Sequence, residues 1–337
     1  MKGVVQVLSD EQVKEIIEKK GIKKDQYRII KYLDEIKDSA KKNGNILNRD
    51  IIIKIIKEFK ESKKIRKSTT ISQFLKYVVE VSNLFTEIAI LSEYNENIII
   101  RYVATYVSVS PYEIALSLLS KSFLSHYSAL YANELTLNNP KDIYINKEQS
   151  KKNIPDNGAK IVQNRIDYAF SKKMRSTNMI YSFKYKGMAY KVHVLNSKNT
   201  KNTGIVSRKI VGFSKPVHIT NIERTLIDTT VRPGYSGGAQ EVMAAYIRAK
   251  NVVDIKKLEK YLINFNYSYP YYKSVAFYMK HAKYEYKDFL EKNSKSRPEQ
   301  SLLNFYLDYR LIGRSFDEEI GIFYPKSIEQ YSLLPYF

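Results

Sequence analysis

Up to Ser82 the apolar residues recur every three or four positions. After Asn83 they run in short β-rich blocks, and this switch of period most narrows the folds open to the chain. Ile29, Ile30, Leu33 and Ile36 share one helical face, and Asn43-Gly44-Asn45 ends that helix. Asn48 can cap a second helix over 49–59, with Ile52, Ile55, Ile56 and Phe59 inward. Ser68 and Thr69 offer the cap for a third, running to about Ser82, with Ile71, Phe74, Leu75 and Val78 on one face. Residues 84–91 and 98–103 then read as strands joined across 92–97. Three helices followed by a hairpin is the element order of a winged helix-turn-helix.

The remaining chain reads as a larger mixed α+β domain. Ser110 caps a helix with Pro111 at its first position, and a second helix follows from His126. Residues 143–145 form a short strand and 148–160 a polar loop. The segments 180–185 and 188–195 form a hairpin across Lys186-Gly187, and 196–202 is a polar, mobile-looking loop. Helices are expected over 221–231, 237–249, 254–264, 271–282 and 284–292, then a linker-like break at 294–298 and a helix over 299–309. The fold class is thus α+β in four parts. These are a helical extension (1–25), the winged helix (26–107), the larger domain (108–292) and a helical tail (293–337).

Charge indicates the partner. The 337 residues carry 56 Lys and Arg against 35 Asp and Glu, a formal net charge of +21. Such an excess favours an extended polyanion, nucleic acid first. With no cysteine, disulfides, Cys-held zinc, iron–sulfur clusters and thiol catalysis are excluded. No apolar run reaches the ~20 residues of a membrane span, and the N-terminus has no signal-like apolar region. A cytoplasmic protein with no membrane partner is expected.

The third helix is the candidate reader of DNA. Gln73 can pair with adenine, Thr70, Ser72 and Lys76 lie on the outward face, and Lys63, Lys64, Arg66 and Lys67 precede the helix to neutralise phosphates. The hairpin tip carries Glu93 and Glu96, which phosphate would repel. Arg101 on the return strand is the nearby cation. A solvated helix face is the alternative reading of the same residues.

The densest motif is His218-Ile219-Thr220-Asn221-Ile222-Glu223-Arg224-Thr225-Leu226-Ile227-Asp228, followed by Arg232-Pro233-Gly234-Tyr235-Ser236-Gly237-Gly238. Thr220 and Glu223 have capping-box spacing, and Arg224 and Asp228 stand i,i+4 on one helix. Arg232 suits a helix C-terminus, and Gly237 and Gly238 a tight turn. The motif resembles the core of the AbiEi-type antitoxins. Val109-Ser110-Pro111-Tyr112-Glu113-Ile114-Ala115-Leu116, Leu124-Ser125-His126-Tyr127-Ser128-Ala129-Leu130 and Tyr267-Ser268-Tyr269-Pro270-Tyr271 match in the same order, across roughly 108–290. The resemblance implies the antitoxin and transcriptional-regulator half of a type IV toxin–antitoxin, abortive-infection module. It implies an N-terminal winged helix on the operator of its own operon, and as functional partner a nucleotidyltransferase-like toxin. It leaves open whether the toxin is touched directly. Glu223, Arg224, Asp228, Arg232, Tyr235, Gly237 and Gly238 become antitoxin-motif residues, either holding the fold or facing the toxin. Inverted repeats in the operator would imply two copies on DNA.

Enzymatic readings are weaker, and neither catalysis nor a cofactor is expected. Gly234-Tyr235-Ser236-Gly237-Gly238 has the spacing of a nucleophile elbow but follows a helix rather than a strand. His126, His193, His218 and His281 are scattered, without metal-ligand spacing. Glu285-Tyr286-Lys287 and Pro155-Asp156 are the fragments a metal-dependent nuclease would use, but the first reads as helix. A nonspecific DNA- or RNA-binding protein is the other alternative.

Overall fold

The computed structural model describes residues 27–150 and 161–329, with Glu11, Glu15, Glu18 and Lys19 besides. The extension read at 1–25, apart from those four residues, and Pro155-Asp156 lie outside the described residues. The protein is mixed α+β and divides into two units, but not where the sequence suggested. Of the described residues, one unit comprises those up to 118 with 181–190 and 209–216, and the other the remainder.

In the first unit α1 (Tyr27–Lys31) and α2 (Leu33–Lys42) lead into β1 (Ile46–Leu47) and α3 (Arg49–Glu61). Asn48 caps α3, its side chain accepting from the Ile51 amide at 2.9 Å. Next come α4 (Ile71–Leu75), a π-helical turn (Lys76–Val81), β2 (Phe85–Ser92), β3 (Ile98–Ala104) and α5 (Pro111–Leu116). The third helix is thus α-helical only to Leu75. Its cap is Thr70, in a capping box with Gln73, rather than Ser68 or Thr69. β3 pairs antiparallel with β2 along seven residues, and β1 pairs antiparallel with β3. Ile36, Leu47, Ile52, Phe74 and Tyr77 are buried in one apolar cluster. Each such side chain stabilises by about 1.5–3 kcal/mol relative to exposure. Ser110 and Glu113 form a capping box on α5, and the buried Glu113 carboxylate also accepts from the Ser214 amide (3.0 Å) and hydroxyl (2.6 Å).

The second unit begins with β4 (Phe123–Leu124), α6 (His126–Ala132), β5 (Asp142–Glu148) and α7 (Gln163–Ser171). The sequence reading left 163–171 unassigned. The chain returns to the first unit for β6 (Ile180–Tyr185), which pairs with β2. β7 (Met188–Ser197) belongs to the second unit from residue 191, and β8 (Ile205–Arg208) and β9 (Val217–Thr220) follow. There the strands run in the order β7-β5-β4-β9-β8. β5 is parallel to β7 and β4 to β9, while the β4–β5 and β8–β9 pairs are antiparallel. A helical layer follows: α8 (Ile222–Val231), α9 (Ala239–Ala249), α10 (Ile255–Phe265), α11 (Tyr271–His281), α12 (Lys287–Ser296) and α13 (Pro298–Ser301).

The C-terminal region departs most from expectation. α12 extends into the expected break as far as Ser296, the break itself falls at Arg297, and the helix expected over 299–309 begins at Pro298 and stops at Ser301. β10 (Phe305–Tyr306), β11 (Arg314–Asp317) and β12 (Ile322–Pro325) form a second sheet, ordered β10-β12-β11, with β10 and β12 parallel. Phe305, Ile322 and Ile328 join the same core as Leu226, Val242 and Phe277. The described residues of the part read as a tail, 293–329, are therefore part of the domain. Tyr269, Tyr271 and Phe305 pack in that core, with Tyr271 edge-on to Phe305 at 5.2 Å.

Candidate functional site

Residues 218–238 fold as β9, α8 and a tight turn, and Arg224, Asp228, Val231, Arg232 and Tyr235 of this segment line one cavity of the second unit. The cap of α8 is Asn221, not Thr220: its side chain accepts from the Arg224 amide at 3.0 Å. Thr220 is buried instead, its hydroxyl 2.8 Å from that of Thr225. Glu223 does not close a capping box. It pairs with Lys257 at 2.9 Å and accepts from the Asp254 amide at 3.2 Å, fastening α8 to the start of α10.

Arg224 is only 2% exposed. Its Nε donates to Asp228 at 2.7 Å, as the i,i+4 spacing predicts. Its Nη1 donates to the Thr200 hydroxyl and the Thr203 carbonyl, both at 2.9 Å, and lies 3.5 Å from Glu148. The guanidinium rests 4.6 Å from the Phe265 ring centre. Glu148 in turn accepts from the amides of Thr200 (2.8 Å) and Asn202 (3.0 Å) and from the Thr200 hydroxyl. The segment read as a mobile loop is thus pinned by buried charge. Arg224 stands between two buried carboxylates, and removing the cation would leave both uncompensated.

Asp228 is buried, and one of its oxygens, Oδ2, has no hydrogen-bond partner among the described residues. Burial raises its pKa, against the opposing pull of Arg224. Arg232 ends α8 and donates to the Arg175 carbonyl at 3.4 Å. A short turn, Pro233–Tyr235, follows. The Tyr235 hydroxyl accepts from the Thr177 amide at 2.8 Å, and its ring meets His126 edge-on at 5.5 Å. Gly237 and Gly238 have φ of +84° and +92°, and Gly238 stands at the N-cap of α9, where a side chain would strain the backbone. His126 lies beside the Ser125 hydroxyl at 2.9 Å. Burial, aided by Arg224 and Arg232, lowers its pKa to about 3, so the imidazole is neutral.

The cavity measures 420 Å³, and His126, Arg175, Lys198, Arg224, Asp228, Arg232, Tyr235 and Tyr267 are among its lining residues. Of its cations, only Arg224 is tied to carboxylates in the cluster just described. Lys198 donates to the carbonyls of Phe265 (3.1 Å) and Asn266 (3.4 Å), which carry no net charge. Sequence reasoning found Arg224, Asp228, Arg232 and Tyr235 but missed Arg175, Lys198 and Glu148, which come from segments without a motif.

In the first unit the proposed DNA face stays together. Ser72, Gln73 and Lys76 are exposed on and just after α4, Thr70 is exposed at its N-cap, and Lys63, Arg66 and Lys67 are exposed before it. Several of these residues carry other duties, Thr70 among them, whose hydroxyl accepts from the Gln73 amide at 3.2 Å. Lys64 pairs with Glu35. The Gln73 side-chain oxygen accepts from the Thr70 amide at 2.9 Å, so only its NH2 group is left for a base. Arg101, read as the cation of the hairpin, turns onto Ser117, bonding its hydroxyl (3.1 Å) and carbonyl (2.9 Å), and burial lowers its pKa. It is committed to the fold rather than presented to phosphate.

Ser236 is fully buried after a turn, not at the end of a strand. Glu285 precedes α12 and lies on no strand. Among the described residues no three His, Asp or Glu side chains gather to hold a metal.

No protein-family model and no curated protein matches the chain. Among solved structures, one titled "Crystal structure of RV2827C protein from Mycobacterium tuberculosis" is similar over 87% of this chain and 90% of that one, with TM-score 0.50 and 10% sequence identity. At that identity the likeness concerns the fold alone.

Proposed function

We propose that the protein is a DNA-binding autorepressor of the AbiEi antitoxin type, counteracting a nucleotidyltransferase-like toxin. The observation that carries the reading is the exposed polar face of α4, entered from a run of exposed cations. It sits on a body in which β1 pairs with the return strand of the β2–β3 hairpin. This pairing supports reading the first unit as a winged helix, with α4 in the place of the helix that enters the major groove. The motif around Arg224 supports the antitoxin half of the reading. The hairpin tip, with exposed Glu93 and Glu96, is unsuited to phosphate, so contact rests on α4 and the cations before it.

The test is a gel shift with DNA from upstream of the gene, at physiological salt, against excess unrelated competitor. A shift that survives competitor, and rescue of growth when the chain is expressed with the adjacent toxin gene, are the expected results. A shift that competitor abolishes would favour the second reading, a nonspecific nucleic-acid binder, which the net charge of +21 alone supports.

A further inference from the structure

We propose that the cavity beside α8 is a binding site for a phosphate monoester that also carries hydroxyl groups, such as a sugar phosphate or nucleotide. The inference goes beyond DNA binding and does not depend on it. A volume of 420 Å³ lies in the range of small-molecule sites, roughly 300–1,000 Å³. Arg175, Lys198 and Arg232 line the wall, and the hydrogen bonds that Lys198 and Arg232 make there go to backbone carbonyls. Neutral acceptors leave the cationic charge in place, and three cations on one small wall suit a dianion better than a monoanion. Arginine further suits phosphate through its forked donors.

The second observation is the unpartnered Oδ2 of Asp228. Its side chain is 6% exposed and lines the cavity. A buried acceptor without a donor has lost its water and gained nothing in return, and a ligand hydroxyl would satisfy it. Arg224 holds the other carboxylate oxygen, so Oδ2 keeps a fixed direction. Neutral His126 and the Tyr235 and Tyr267 rings complete a wall able to cover a small ring. The ligand therefore needs an anionic end for the cations and a donor for Asp228. The same chemistry occurs in a free metabolite and at the 5′ end of a nucleic acid.

Calorimetric titration of the full chain at low salt, with inorganic phosphate, ribose 5-phosphate and ribose, tests this. Ribose 5-phosphate should bind at least tenfold more tightly than phosphate, and ribose not at all. Arg175→Gln with Arg232→Gln should weaken ribose 5-phosphate at least tenfold. Lys184→Gln with Lys186→Gln, which removes the same charge from exposed positions of the first unit, should leave it unchanged. Thermal melts establish that each variant is folded, and Lys198→Gln repeats the test should the arginine variant not be. Failure of ribose 5-phosphate to bind at 10 mM overturns the site, as does equal weakening in both charge variants. Equal affinity for phosphate and ribose 5-phosphate overturns the role of Asp228. A 5′-phosphorylated oligonucleotide that outcompetes its 5′-hydroxyl twin assigns the ester to a chain end, and no difference between them assigns it to a free metabolite. None of these arms involves the operator, so their failure leaves the repressor reading untouched.

Discussion

Replacing Arg224 by Ala probes the centre of the second unit most directly. The substitution removes a cation that is 2% exposed and leaves Asp228 and Glu148, with side chains 6% and 5% exposed, facing each other without it. Breaking a buried pair by deleting one partner costs about 3–5 kcal/mol. The guanidinium also leaves the Phe265 ring and two oxygen acceptors, Thr200 and Thr203. For a unit of this size, at roughly 2–4 °C per kcal/mol, the transition should fall by about 6–20 °C. The chain has no Trp, so the melt is followed by circular dichroism or calorimetry rather than indole fluorescence. Burial already raises the Asp228 pKa against the pull of Arg224, so in the variant protonation of Asp228 should relieve the penalty, and the gap to the parent should narrow between pH 7 and pH 5. Adding Asp228→Ala to Arg224→Ala should cost less than the sum of the single changes, with a coupling of about 1–3 kcal/mol. A loss below about 1 kcal/mol, or additivity within about 0.5 kcal/mol, would refute the claim that Arg224 is the compensating charge.

Three further outcomes are expected. His126 is held at about 3 in the folded chain against 6.5 ordinarily, so between these values the unfolded chain binds the extra proton. Stability should therefore fall as pH drops from 6.5 towards 3, by up to about 5 kcal/mol, and His126→Asn, which tolerates the local φ of +49°, should flatten that dependence in denaturant titrations. Gly204 has φ +75°, and a Cβ there would stand 2.6 Å from the Arg224 Cβ, so Gly204→Ala should lower the urea midpoint by an amount equivalent to about 2 kcal/mol or more. Lys63→Ala with Lys67→Ala should weaken operator and unrelated DNA alike and flatten the salt slope by about 2, whereas Gln73→Ala should relax sequence preference; unchanged DNA affinity in both would remove the role given to α4.

Local pattern announced what local forces decide. The order of α2, α3, α4 and the β2–β3 hairpin was legible because each helix carries a stripe of isoleucine or phenylalanine and the period then breaks. The Arg224–Asp228 pair was legible from its spacing. The cap was displaced by one residue because Thr220 and Asn221 can both cap, but Thr220 closes β9 with its hydroxyl on Thr225, and Asn221 stands directly before α8 with its side chain on the Arg224 amide. α7 escaped notice because its inward face amounts to Ile166 and Phe170. Glu148, Thr200 and Arg175 could not be joined to Arg224 or Arg232 from sequence, since tens of residues separate them and only the tertiary fold sets the distance. The β10–β12 pairing is parallel and involves two residues of β10, too few to register as a strand.

That small sheet also governs when the protein can exist. Its Phe305, Ile322 and Ile328 fill the same core as the helices α8, α9 and α11. Lys273, buried on α11, grips the carbonyls of Ser301 and Leu303 at 3.0 and 2.7 Å. A nascent chain emerging from the ribosome through α12 would hold the helical layer with its floor missing and apolar faces uncovered. The first unit also waits, for β6 and for residues 209–216. Neither unit can close before residues 209–216 have been made, so both stay exposed to proteases and chaperones until then.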